Sequence, residues 1–275
     1  MDAIEPWDLR DPAASLERFR KIARDAATDV DKAFALTQVA RALGLQGDCA
    51  EARAILSQAD LLLPATGTHR AQYWIELGRI EREDGRTVEA LSSFQQSFEL
   101  ATEAEDEYLA IDAAHMIAIV APKETQIERA HFALSLARRA SDEKTRRWIG
   151  SIANNLGWTY MESGRPLDAV TCFREALSVR LSQKEPTPIR LARYALGSAL
   201  RGSGEINEAI QVLTEALAMG GSIGFIEEEL AECLFSIGKT MESKPLFRAA
   251  YDKLKAAGLG ERDPERLSRL RERSL

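Results

Sequence analysis

A small residue, usually alanine, is followed four positions later by a large apolar one and three further on by another small one, and this phrase recurs six times along the chain. The copies are Ala52, Leu56, Ala59; Ala90, Phe94, Ser97; Ala130, Leu134, Ala137; Ala169, Phe173, Ala176; Ala209, Leu213, Ala216; and Ser243, Phe247, Ala250. Their first members lie 38, 40, 39, 40 and 34 residues apart. Upstream of most copies stands a second phrase, apolar, small, then apolar three further on, as in Leu156, Gly157, Tyr160 and in Leu196, Gly197, Leu200. Offsets of three, four and seven place side chains on one face of a helix, and nothing alternates with period two for long. Turn signals separate the two phrases at Gly47-Asp48, Gly85-Arg86, Gly164-Arg165-Pro166, Gly204-Glu205 and Gly238. Each unit is therefore expected to be two helices joined by a short turn. Neither helix can bury its apolar stripe alone, but stacking successive pairs does so, giving an all-α solenoid.

These residues resemble the tetratricopeptide repeat family. Trp74-x2-Leu77-Gly78 with Ala90-x3-Phe94, and Leu156-Gly157-x2-Tyr160 with Ala169-x3-Phe173, follow the family pattern, and Pro64 sits where that pattern ends. The resemblance covers roughly residues 33 to 257 and implies a right-handed α-solenoid of about six units starting near 33, 71, 111, 150, 190 and 224. Unit three departs from it, with Pro122-Lys123 in its turn and no Leu-Gly, and unit six has Ser243 for the family alanine. Most intervals exceed the usual 34 residues, which is similar to the long repeats of kinesin light chains, spindle-orientation adaptors and bacterial peptide-pheromone sensors.

Residues 1–32 and 258–275 flank the repeats. The first segment carries a helical stripe of Leu16, Phe19, Ile22 and Ala23, expected to cover the open end of unit one. The second carries Leu267 and Leu270 among five arginines from Arg262 to Arg273 and reads either as a polar-faced cap or as a basic helix that docks a partner. Lys184 to Pro188 reads as the connection between units four and five, and Gly220 to Gly224 as the turn between units five and six.

Composition narrows the function. Lys and Arg number 36 against 43 Asp and Glu, a formal charge of −7, so phosphate backbones and anionic lipid are repelled, and neither nucleic acid nor membrane insertion is expected. Three widely spaced cysteines, Cys49, Cys172 and Cys233, give no disulfide framework and suit a reducing compartment. Cys172 and Cys233 read as small buried apolar residues. The acidic amino terminus lacks the basic start and apolar run of a signal peptide, so a cytoplasmic protein is expected. His69, His115 and His131 are isolated, and neither CxxC nor HExxH occurs, so no metal, no cofactor and no catalytic constellation is expected.

Binding is the chemistry that remains. The resemblance places positions two, five, six, nine and twelve of each unit on a concave groove, among them Arg79 and Arg82 in unit two, His115 in unit three, Asn154, Asn155 and Trp158 in unit four, and Tyr194 and Arg201 in unit five. Asn154 and Asn155 interrupt a helix, where asparagine is a poor former, and their amides can pair with the main chain of an extended peptide; either can instead face solvent or bond its own backbone. Trp158 is placed as an aromatic anchor or as packing against unit three. The arginines lie in the first five units and Glu228, Glu229 and Glu232 in the sixth, a polarised groove. The carboxylate clamp of chaperone-binding members is absent, since only Asn155 of its five positions matches. The expected function is a non-enzymatic scaffold or adaptor holding a peptide segment of a partner protein in the groove. The alternative is a ligand- or peptide-responsive regulator, similar to bacterial sensors, that changes shape to control an effector. Partner and oligomeric state are not legible in the sequence.

Overall fold

Side chains that accept from free backbone amides start many of the helices, and left-handed residues stop them. The computed structural model describes residues 7–8, 11–222 and 224–275, and no strand occurs among them. The amino-terminal six residues, read above for a signal sequence, and Ile223 of the Gly220 to Gly224 turn lie outside the described residues. Contacts divide the chain into two units, Met1–Trp148 and Ile149–Leu275.

In the first unit, α1 (Pro12–Asp25) precedes three helix pairs: α2 (Asp29–Leu45) with α3 (Cys49–Asp60), α4 (Thr68–Glu83) with α5 (Thr87–Glu103), and α6 (Glu107–Val120) with α7 (Lys123–Arg139). A single turn, α8 (Glu143–Arg146), follows. Asp48 accepts from the Glu51 amide and Asp106 from the Leu109 amide, so each caps the helix it precedes. The pair α6 and α7 turns without glycine, through Ala121 and Pro122, whose extended backbone ends one helix and starts the next. Leu16, Phe19 and Val39 share a cluster with Leu43 and Leu56, so α1 covers the first pair.

In the second unit α9 (Trp148–Glu162, its first residue belonging to the first unit) pairs with α10 (Pro166–Gln183), α11 (Pro186–Ser203) with α12 (Ile206–Ala218), and α13 (Phe225–Ser236) with α14 (Thr240–Ala256). The one-turn α15 (Leu259–Arg262) leads to α16 (Pro264–Arg273). Gly164, at φ +68°, ends α9 in the left-handed region and returns its amide to the Met161 carbonyl, so the chain reverses in four residues. Lys184 takes the same conformation at φ +59° after α10, and Pro186 opens α11 at its first turn. Leu267 and Leu270 of α16 pack with Phe247, Ala250 and Leu254 of α14.

Within the pairs, one contact recurs. A Cβ added to Gly78 would lie 2.6 Å from the Phe94 ring, one on Gly157 would lie 2.6 Å from the Phe173 ring, and one on Gly197 would lie 2.5 Å from Leu213. All three large partners are fully buried. The spacing of the two sequence phrases thus has a direct cause: a helix without a side chain at one point lets the large residue of its neighbour lie against its backbone. Cys172 and Cys233 are buried and in no disulfide, and burial, with Glu229 next, pushes the Cys233 thiol up to about 12.

Gly157→Ala is expected to destabilise the protein by about 1–3 kcal/mol in urea unfolding, because the methyl group must displace Phe173. Gly44→Ala, whose new carbon would meet only Ile80 at 3.7 Å, is expected to gain roughly 0.5 kcal/mol instead.

Candidate functional site

The first helices of the pairs carry their core residues on one stripe and leave a second stripe for other work. On α9, Ile152, Ala153, Leu156, Gly157 and Tyr160 are buried, while Asn154, Asn155 and Trp158 are half-buried. The Asn154 side-chain amide donates to Asn155 Oδ1 at 3.4 Å. Trp158 meets Phe173 edge-on at 5.2 Å and faces the Tyr194 ring of α11 at 6.2 Å. Tyr194 in turn lies 6.3 Å from Phe225 of α13, and the Arg266 guanidinium stands 5.1 Å over Phe225. A line of aromatic rings therefore crosses three successive first helices. Burial, then Glu229, raises the Tyr194 phenol, which keeps it a neutral hydroxyl across the physiological range.

Beside this line run ion pairs that connect neighbouring helices. Arg201 donates through Nε to Glu229 Oε2 at 2.6 Å and through NH2 to Oε1 at 3.2 Å. Arg266 donates to both oxygens of Glu228 at 2.7–3.0 Å, with Arg269 3.7 Å from the same carboxylate, and Arg273 bonds Glu232. The acidic end expected from Glu228, Glu229 and Glu232 is corrected accordingly: these carboxylates are neutralised by Arg201 and by α16. The arginines of α16 that make these bonds serve the fold, which favours the cap reading of that helix.

The first unit builds its corresponding face from charge. Arg79 donates to Glu76 Oε1 at 2.6 Å and to both oxygens of Asp112 at 2.7 and 2.8 Å. Gln72 also donates to Glu76 Oε1, at 2.8 Å, and Arg41 lies 3.6 Å from it, while Glu76 is wholly buried and its Oε2 has no partner. Burial opposes the Arg79 charge, but Asp112 and Glu76 outweigh it and raise its pKa; burial and Arg79 lower that of Arg41. Arg79, expected as an open groove cation, is therefore committed to two buried carboxylates, and Arg82 pairs at the surface with Glu83. His115 is buried, with its ring 5.6 Å from Trp148, and burial outweighs the pull of nearby Asp112, with Arg79 and Arg82 adding to it, to hold the imidazole down to about 4.

Of the residues singled out in the sequence, Arg79, Arg82 and His115 fall in the first unit, and Asn154, Asn155, Trp158, Tyr194 and Arg201 in the second. Phe225, which the repeat pattern also puts at a groove position of unit six, and Arg266 complete the aromatic line, and of these two Arg266 was missed. So was Trp7, whose indole donates to Gln38 at 2.9 Å under the Arg41 guanidinium. Their contacts span more than 30 residues and leave no local signal. No helix is long and apolar enough to cross a membrane, and no group of three or more metal-ligating side chains occurs among the described residues.

Residues 154–222 match the family described as tetratricopeptide repeat, the stretch that holds the Gly157–Phe173 and Gly197–Leu213 contacts. That stretch carries tetratricopeptide repeats. Among solved structures, the chain is similar to apo RapI at 15% identity over 90% of this chain and 76% of that one, with a TM-score of 0.71. It is similar to BtubC from P. vanneervenii at 17% identity over 77% and 89%, TM-score 0.60, and to the apo quorum sensor NprR from B. thuringiensis at 12% over 98% and 83%, TM-score 0.60. These likenesses show the fold. A search of curated protein sequences finds no significant match.

Two outcomes follow for the buried charges. Arg79→Met leaves Asp112 and Glu76 buried with less countercharge and is expected to cost about 3 kcal/mol in urea unfolding. Because His115 titrates near 4 when folded and near 6.5 when unfolded, the unfolded chain binds more protons between those values, and stability falls as pH is lowered through that window. Between pH 7 and pH 5, His115→Gln is expected to lose roughly 2 kcal/mol less stability than the parent.

Proposed function

We propose that this protein is a non-enzymatic cytoplasmic tetratricopeptide-repeat scaffold, and that its second unit holds an extended segment of a partner protein against the face of α9, α11 and α13. The aromatic line Trp158, Tyr194 and Phe225 carries the reading: three half-buried rings in succession offer large contact area at little conformational cost. Asn154 and Asn155 stand one helical turn before Trp158, where amides can serve the main chain of a bound segment whatever its side chains. Arg201, held by Glu229, borders the same face as a fixed cation and suits an acidic residue in the segment. Three cysteines outside any disulfide agree with a reducing compartment.

A second reading, a regulator that changes shape on binding a peptide, rests on the likeness to the quorum sensor NprR. A change in small-angle scattering profile when the segment binds separates the regulator from a rigid scaffold.

The test is affinity capture with mass spectrometry, comparing the parent with Trp158→Ala, Trp158→Phe and Asn155→Ala, each first shown to be folded by circular dichroism and urea unfolding. Once a partner segment is in hand, Trp158→Ala is expected to weaken it by about 2 kcal/mol, near thirtyfold, with Trp158→Phe intermediate. Unchanged affinity in both Trp158→Ala and Asn155→Ala, with the fold intact, would remove this face from the function.

A further inference from the structure

The first unit contains a cavity that the aromatic face does not use. It is a cleft of about 320 Å³ where the end of α5 meets the start of α6 and the flank of α7, walled by Phe98, Ala101, Ala110, Ile111 and Leu136. That volume lies at the lower end of the range for sites that take organic groups, and the small side chains of Ala101 and Ala110 leave it room for one large aliphatic side chain. The Phe98 ring continues the apolar surface outward to Phe132, 5.8 Å away and 46% exposed.

Its mouth is charged. Glu105, Asp106 and Glu107 line it together with one basic residue, Arg139. Asp106 caps α6 and Glu107 accepts from the Ser141 amide and hydroxyl, so both carboxylates are fixed at the rim. Glu105 is exposed and held at φ +57°, one of two described non-glycine residues with positive φ. Apart from Lys184, the other described positions of positive φ are glycines, and here the chain keeps a carboxylate at the cost of strain.

An apolar socket with a net negative rim selects its occupant. Anionic surfaces are repelled, and a second copy of this chain, itself of net charge −7, brings its basic α16 already engaged with Glu228 and Glu232. We propose that the α5–α6–α7 cleft is a docking socket for a partner-protein segment that inserts a large aliphatic side chain and sets a neighbouring lysine or arginine against Glu105. The socket lies wholly within the first unit and stands or falls independently of the α9, α11 and α13 face.

The full chain, methyl-labelled at Ala, Ile and Leu, is titrated by NMR with two amidated helical peptides. Both carry leucines at i, i+3, i+4 and i+7; one has lysines at the remaining positions and the other glutamates. The lysine peptide is expected to shift the Ala110, Ile111 and Leu136 methyls saturably, and the glutamate peptide to leave them unmoved. Ala110→Leu fills the cleft without altering charge and is expected to weaken the lysine peptide about tenfold, Glu105→Gln about threefold, and Glu242→Gln, on α14, not at all. Glu105→Gly is expected to raise the melting temperature while weakening the peptide, a pairing that a purely structural role for Glu105 does not give. Should Ala110→Leu fail to fold, the Glu105 variants decide. The proposal is overturned if the cleft methyls do not shift, if Ala110→Leu and Glu105→Gln bind as the parent does, if Glu242→Gln weakens binding equally, or if the parent self-associates through the cleft and Ala110→Leu abolishes it.

Discussion

Everything in this protein depends on how closely two helices of a pair can approach. A missing side chain at Gly78, Gly157 or Gly197 lets Phe94, Phe173 or Leu213 lie against helix backbone, with no space left for even a methyl group. The large residue is then fully buried by its own pair, and the remaining apolar surface of the pair is what neighbouring pairs must cover. The separation within a pair also sets where the opposite stripe of each first helix points. A residue such as Trp158, one position after Gly157, can touch Phe173 below it and Tyr194 beside it only because the backbone is so near.

The same stripe has been put to different use in the two units. In the first, guanidinium groups pass from helix to helix, from Arg41 to Glu76 and from Arg79 to Glu76 and Asp112, and the charges satisfy one another out of water. Such a buried network is costly to open and gives directional contacts, so it fixes the register of α2, α4 and α6 better than interchangeable aliphatics would. In the second unit rings replace ions between α9 and α11, and rings can hand their faces to another molecule without leaving a charge stranded. The contrast is physical: in the first unit buried charges hold one another, and in the second the rings stay half-exposed.

The fold was legible because its determinants are local. Ala169, Phe173 and Ala176 sit within one helix, and Gly164 marks its start, so periodicity alone places them. The division of labour on the first helices was not legible. Arg79 reads in the sequence as an open groove cation because Asp112 lies 33 residues away, and only the stacking of α4 on α6 brings the two together. Glu228 reads as part of an acidic patch for the same reason, its partner Arg266 being 38 residues distant on a helix that the sequence allowed two roles. The socket between α5 and α6 had no signature, because a cavity is a shortage of volume at Ala101 and Ala110, and shortage has no periodicity.

The helix α16 decides how this molecule can meet its own kind. Stacked helix pairs are heterologous surfaces, front to back, and an array whose last pair stayed bare would invite the next molecule's first pair, then another, in open-ended fibres. Leu267 and Leu270 take that place on Phe247 and Leu254, and Arg266 and Arg273 lock it to Glu228 and Glu232. The outward side of α16 shows Glu265, Ser268, Arg269, Arg271 and Glu272, all exposed and polar. A helix pair stacking on that side would have to strip water from charged groups and hydroxyls instead of burying an apolar stripe.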